Sequence, residues 1–449
     1  MQHSNFKYFY TILKRRTHYR RLVIGGAISQ LGDWLSYIAL SSLALRVGDV
    51  EGAVGTGVAV ASVYLAHSLP HVFAAPIVGP LVDRYSRRAI MIGSYLGASL
   101  LTLAMYIQIE SASLWLIQGL LCLRVMVSNA GMNARQAALP SLVTSEELTV
   151  AHALNSSVWS VLFTLGVALG GVITASLGPA QAIAIDALTY LVSVSCIWSL
   201  PALLPQDKAG IYSGAAEESA TGSAHSSASA SSASATTEAT SESGLTDPSY
   251  SLGDAIKFAR ATPRLWVPLF AKSPIEFFHG LGWIALNIIA AASGPEQSAL
   301  LLGVFTAVRG LGIGLGPALL GANREVNFIL IQVITCGAVT TFIVSELQWL
   351  SLGALLVWGM CGGVNWVGST VVLQKHTPPH LLGRITALDF LSFTLFQSIA
   401  TLWAGWIYDR AHSLTYMLFV IGGAGSVALM ILSALGWRAR LSSRQQSSR

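Results

Sequence analysis

Twelve long apolar stretches separated by short polar turns dominate this sequence of 449 residues. An α-helix rises about 1.5 Å per residue, so a bilayer core about 30 Å thick calls for about 20 mostly apolar residues per crossing. Stretches near 22–46, 54–78, 89–108, 113–130, 150–176 and 180–201 meet that length. A second set lies near 265–292, 298–320, 326–345, 347–372, 386–408 and 414–437. Within hydrocarbon the backbone must satisfy its own N–H and C=O groups, so runs of this length are read as helices. Hydrophobic residues make up 53% of the chain and charged residues 10%, whereas a soluble domain carries about 25% charged residues. The expected fold class is therefore an all-α membrane protein, twelve transmembrane helices in two six-helix bundles.

The division into halves comes from a change of composition. Residues from about 206 to 250 are rich in Ser, Ala, Thr and Glu, and the run 223–240 is almost purely Ser, Ala and Thr. Such a segment cannot build a core and reads as a solvated spacer. The predicted organisation is a basic tail (1–21), a first bundle (22–201), a linker with an amphipathic segment (202–264), a second bundle (265–437) and a short tail (438–449). In the segment 250–264, Leu252, Ile256 and Phe258 oppose Lys257 and Arg260, the pattern of a helix lying on a membrane surface. Gly166, Gly170 and Gly171 in span five, and Gly310, Gly312, Gly314 and Gly316 in span eight, predict close helix–helix approach.

The pI near 9.0 does not point to nucleic acid, because the basic residues sit in loops and tails. With both termini on one side, Arg46 and Arg410 are the only Lys or Arg of the 26 assigned to the other side, while Arg124, Lys272 and Arg309 fall inside spans. That asymmetry predicts cytoplasmic termini and a cytoplasmic linker in a bacterial inner membrane. The basic N-terminus runs directly into a full-length span, which predicts no cleavable signal. Cys122, Cys196, Cys336 and Cys361 lack metal-like spacing and read as small buried hydrophobes. His67 and His71 stand at i and i+4, but no third ligand is near and Pro70 intervenes, so packing or a pH-responsive contact is expected, with no metal and no cofactor. There is no phosphate-binding glycine loop and no catalytic triad in a convincing context. An enzyme is not expected.

The turn after span two reads Gly79-Pro80-Leu81-Val82-Asp83-Arg84-Tyr85-Ser86-Arg87-Arg88. Together with six plus six spans and a long central segment, it resembles the loop 2–3 signature of the major facilitator superfamily. Gly79, Leu81, Asp83, Arg84, Arg87 and Arg88 match, while Val82 and Ser86 depart conservatively. The resemblance implies that Asp83 caps the N-terminal end of the eleventh helix, pairs with Arg135 beyond the fourth, and locks the outward-facing state. Three further segments are similar to the drug:proton antiporter branch that includes macrolide and siderophore exporters. They are Gln30-Leu31-Gly32-Asp33-Trp34, Gly383-Arg384-Ile385-Thr386-Ala387-Leu388-Asp389, and Ala404-Gly405-Trp406-Ile407-Tyr408-Asp409-Arg410. Gly166-Val167-Ala168-Leu169-Gly170-Gly171 resembles that branch's span-five motif, with Val167 where proline is common.

Ionisable groups at membrane depth are costly and each marks a functional hypothesis. Asp33 and Arg124, on spans one and four, are expected to pair across the cavity, either as a proton-carrying switch or as a fixed staple. Lys272 and Glu276, four apart in span seven, are expected to neutralise each other, with Arg309 as a further partner of Glu276. Asp389 reads as a gate or helix-end contact alongside Arg384, and Asp186 as structural. Trp34, Tyr37, Trp159, Trp283 and Trp358 are the aromatic candidates for lining a cavity that takes a bulky amphipathic compound. The expectation is a monomeric secondary transporter exporting a hydrophobic or amphipathic small molecule by alternating access, coupled to protons. A siderophore or lipid-like metabolite transporter and a transport-inactive receptor or scaffold stand as alternatives.

Overall fold

Helix ends fall where the chain supplies caps and breakers. Thr144 and Glu147 form a reciprocal capping box, with the Thr144 N–H donating to Glu147 Oε2 at 3.0 Å and the Glu147 N–H donating to Thr144 Oγ1 at 3.4 Å. This satisfies two otherwise orphaned donors and starts the fifth transmembrane helix at Ser145, earlier than the apolar pattern suggests. Pro274 occupies the first turn of the seventh, so that helix begins at Ser273 rather than near 265. Asn327 caps the ninth through its side chain, accepting from the Leu330 N–H at 3.2 Å.

The computed structural model describes residues 11–50, 55–109, 114–203, 252–262, 265, 269, 272–320, 326–431 and 433–434. The predicted linker 206–250, residues 1–10 and the tail 438–449 lie outside them. In chain order the helices are α1 (Thr17–Val50), α2 (Thr56–Arg84), α3 (Arg87–Gln108), α4 (Leu114–Ala138), α5 (Ser145–Leu177), α6 (Pro179–Trp198), α7 (Leu252–Ala261), α8 (Ser273–Ala291), α9 (Pro295–Leu320), α10 (Phe328–Val344), α11 (Gln348–His376) and α12 (Pro379–Ala411). A last apolar span, Leu414–Ile431, contains a π-turn at Leu418–Gly422. Among the described residues, 10 helices are long and apolar enough to cross a membrane. The 17-residue α10 and the 34-residue α1, which carries Asp33 near its middle, complete the predicted twelve. The protein is an all-helical, multi-pass membrane protein.

Helices α1 to α6 pack on one another, as do α8 to α12 with the last span, and the two sets meet chiefly through α5 against α9 and α2 against α12. Buried cores show how they meet. One apolar core runs through both halves, joining Leu35, Tyr37, Ile38 and Val63 to Phe278, Leu281, Trp283 and Ile284. Toward the face bearing the charged α2–α3 turn the cores separate. Tyr19, Leu22, Val78, Met91, Leu139 and Tyr190 belong to the first half alone. Ala255, Ala259, Leu265, Leu373, Leu381 and Ile385 belong to the second. Among the described residues the apolar core is thus continuous across the halves on the face opposite the basic turns and divided on the basic face. Helix α7 packs through Ala255 and Ala259 against the ends of α11 and α12, with Phe258 partly buried on the same core.

Small residues make the closed face possible. A Cβ on Gly57 would stand 2.4 Å from the Gly405 carbonyl oxygen, and one on Gly171 would stand 2.8 Å from Gly303 Cα. At the first crossing, the Asp409 carboxylate of α12 accepts from the Gly57 N–H at 2.6 Å and the Val58 N–H at 2.8 Å. An anion from one half therefore caps the N-terminus of a helix in the other. In α9 the glycines serve two partners: Gly310 and Gly314 face α5, while Gly312 and Gly316 lie against Leu356 and Met360 of α11.

Replacing Asp409 by Ala removes a cap of about 1 kcal/mol, and Gly405→Val drives a side chain into the α2 backbone. Both changes are expected to open this face, raising the labelling of a Val58→Cys thiol by a water-soluble maleimide. Unchanged labelling contradicts the capping role.

Candidate functional site

The first half holds its charges in one cluster. Arg124 of α4 is buried, and its guanidinium reaches Asp186 Oδ2 of α6 at 2.5 Å and Asp33 Oδ1 of α1 at 3.3 Å. It also donates to Ser36 Oγ at 3.1 Å. Tyr190, one turn beyond Asp186, donates its hydroxyl to Asp33 Oδ1 at 2.5 Å. Thr189 donates to the Asp186 carbonyl at 2.7 Å. The two carboxylates differ in access: the Asp33 side chain is 27% exposed, that of Asp186 is 0% exposed. Gly32 brings them together, since a Cβ there would sit 2.4 Å from Asp186 Oδ1. The expected Asp33–Arg124 contact is present, but the shorter bond of Arg124 goes to Asp186. Burying a guanidinium requires full pairing, and α6 supplies the second carboxylate.

The second half departs from expectation. Lys272 does not pair with Glu276; it forms an ion pair with Asp389 of α12, a buried contact within hydrogen-bond reach. Its ammonium also lies 4.2 Å from the centroid of the Trp366 ring. The reason is positional. Lys272 is the N-cap residue of α8, and α8 packs along α12, which brings the Asp389 carboxylate to the Lys272 ammonium. Asp389 is thereby a buried partner of the residue that starts α8. Glu276 takes His279 as its neighbour instead, Oε2 to Nδ1 at 3.2 Å. Arg309 stacks on Trp358 at 4.4 Å from the ring centroid and lies in the electrostatic field of Glu276, Tyr64 and Tyr37 without an ion-pair contact among the described residues.

Aromatic rings fill the space between these groups. Trp34 meets Phe163 edge-on at 4.7 Å between centroids, Tyr37 at 5.9 Å and Trp159 at 5.9 Å. Tyr37 crosses to the other half and meets Trp283 at 5.3 Å. His67 lies against both Trp34 and Tyr37, and His71 Nδ1 contacts the Asn129 side-chain amide at 2.8 Å. Trp159 is 38% exposed while Trp283 and Trp358 are buried. The indole N–H groups of Trp34, Trp283 and Trp358 are buried without an acceptor among the described residues.

Asp83 is exposed and makes no ion pair with Arg135 among the described residues, and α12 starts at Pro379 without a side-chain cap. Arg135 lies against Gly26 of α1. Arg87 donates to Ser141 Oγ at 3.2 Å and Arg88 to the Trp198 carbonyl at 2.5 Å, so both tie the turn to its own half. Gly79 faces open space, Arg84 is exposed, and Arg384 is half-buried near the start of α12. Tyr190 and His279 escaped sequence reasoning, although each stands one helical turn from a residue already in view, Asp186 and Glu276 respectively.

Residues 22–401 match the family model described as Major Facilitator Superfamily. The chain is 22% identical over 420 residues to the uncharacterized MFS-type transporter YfiS of Bacillus subtilis (strain 168), covering 91% of this chain and 85% of that one. Over a shorter stretch of 139 residues it is 29% identical to macrolide efflux protein A of Enterococcus faecalis, 30% of this chain and 42% of that one. Its architecture is similar to the crystal structure of the nucleoside transporter NupG, with a TM-score of 0.63 at 11% identity, covering 93% of this chain and 98% of that chain. At such identity the likeness is one of fold.

Removing one partner of a buried ion pair strands the other, at a cost of about 3–5 kcal/mol. Asp389→Asn and Lys272→Met are each expected to lower the melting temperature of the purified protein markedly. The double substitution is expected to recover much of the loss. Additive losses in the double variant contradict the pairing.

Proposed function

Because the chain belongs to the Major Facilitator Superfamily, and is therefore a secondary transporter rather than an enzyme, we propose that it exports a hydrophobic or amphipathic small molecule in exchange for protons. In this reading the halves 22–201 and 265–437 rock about the aromatic chamber and expose it to one side at a time. The basic face is the cytoplasmic one, following the distribution of Lys and Arg. The present arrangement, with one core across both halves on the far face and two separate cores on the basic face, then corresponds to the inward-open state.

One observation carries the coupling. Arg124 is shared by two carboxylates, and one of them, Asp33, keeps access to the chamber. A lone cation facing two acids is balanced when one acid holds a proton, so the cluster can accept one at Asp33 without leaving a net charge in the membrane. The chamber beside it is built of Trp34, Tyr37, Trp159, Phe163 and Trp283, apolar faces with indole N–H donors, while Arg309 and Glu276 add one charge of each sign. Such walls favour a bulky, mostly apolar cargo over a sugar. The partial likeness to macrolide efflux protein A supports outward movement. When the basic face closes, the turn carrying Asp83 would meet the start of α12, with Gly79, Arg84, Arg87, Arg88, Arg135 and Arg384 surrounding the contact.

Full-length protein in proteoliposomes, given an imposed pH gradient, tests the reading with ethidium and erythromycin as probes. Gradient-driven movement of either probe is expected. Asp33→Asn is expected to reduce it about tenfold or more, a barrier change of about 1.4 kcal/mol, while leaving probe binding measurable. Transport that proceeds equally well in Asp33→Asn removes Asp33 as the proton carrier. Absence of gradient-driven movement with probes that bind points to a receptor or scaffold.

A further inference from the structure

We propose that Asp186 is the positioning residue of the proton site: it keeps Arg124 paired at all times, so that Asp33 can release the guanidinium and take up a proton. The inference rests on the proton-coupling reading above and assigns a separate role within it. Its basis is the asymmetry between the two acids. Arg124 Nη1 bonds Asp186 Oδ2 at 2.5 Å, and that carboxylate is 0% exposed, whereas Arg124 Nη2 stands 3.3 Å from the partly exposed Asp33. Gly32, immediately before Asp33, leaves the space that lets Asp186 reach the α1 backbone. Thr189 and Ser36 complete the pocket of Asp186 and Arg124 with hydroxyl groups.

The consequence is a division of labour. If Asp33 were the sole counterion, its protonation would strand a buried guanidinium, and an unpaired buried charge is strongly disfavoured. With Asp186 in place the cluster goes from one positive and two negative charges to one of each. A proton arriving through the open basic face adds to a carboxylate oxygen of Asp33. The Tyr190 hydroxyl, which donates to Asp33 Oδ1 at 2.5 Å, holds that acid in position. Arg135 of α4 also acts on Asp33, and His67 and His71 of α2 lie in the field of Arg124. Tyr95 of α3 stacks behind Tyr190.

The test uses dicyclohexylcarbodiimide, an apolar reagent that adds to protonated carboxyl groups, on full-length protein in lipid vesicles, read by peptide mass spectrometry. In the native chain Asp33 is expected to be labelled increasingly on acidification while Asp186 stays unlabelled. In Asp186→Asn, Asp33 becomes the sole counterion of Arg124 and its labelling at a fixed acidic pH is expected to fall about tenfold. Asp186→Glu, which keeps the charge, is expected to restore it. Equal labelling of Asp33 in the native chain and Asp186→Asn overturns the proposal and leaves the coupling reading standing. Absence of Asp33 labelling at every pH in the native chain removes the coupling reading itself. Where Asp186→Asn does not yield monodisperse protein, the native chain decides: Asp186 labelled as readily as Asp33 overturns the proposal.

Discussion

An unpaired guanidinium at membrane depth is costly, and this fold brings three helices together to pair Arg124. Arg124 comes from α4, Asp33 and Ser36 from α1, Asp186 and Tyr190 from α6. Without water to screen it, each bond to that cation is strong, and each unmade bond is expensive. The requirement fixes how α1, α4 and α6 sit against one another. It also explains Gly32, whose missing side chain is the space the Asp186 carboxylate needs. The second half solves the same problem with a different set, Lys272 to Asp389 under the Trp366 ring, which ties α8 to α12 and both to α11.

Between these two anchored half-molecules lies the aromatic chamber. Tyr37 and Trp283 bridge it at the closed side, and the core there is continuous. In a membrane the hydrophobic effect gives helices little reason to associate, so close backbone approach and polar bonds must do it. The closed face uses both: glycine against glycine at 57 and 405 and at 171 and 303, and the Asp409 carboxylate on the α2 N-terminus. On the basic face the cores remain separate. A structure that is tight at one end and divided at the other has the geometry for a rocking motion, since packing that opens at one face can be offset by packing that forms at the other.

Much of this was legible in the sequence. Apolar run length alone gave helices crossing a membrane, because hydrocarbon leaves the backbone no other way to bond. The rarity of charges inside those runs singled out Asp33, Arg124, Lys272, Glu276 and Arg309, since each such charge needs a reason to be there. Small residues at helical spacing marked α5 and α9 as close-packed, though not against which helices. Partner choice was not legible. Lys272 and Glu276 looked like a helical pair, but the acid that Lys272 meets lies 117 positions away on α12. Asp186 looked structural, and its short bond to Arg124 was not legible from its own span.

The sequence by itself determined that this chain is a bundle of membrane-crossing helices with a few buried charges, because local composition and period suffice for that. Only the tertiary structure decided which acid holds which base and where the two halves share one core. Those outcomes depend on how helices distant in sequence are rotated and brought together, and no local pattern encodes that rotation.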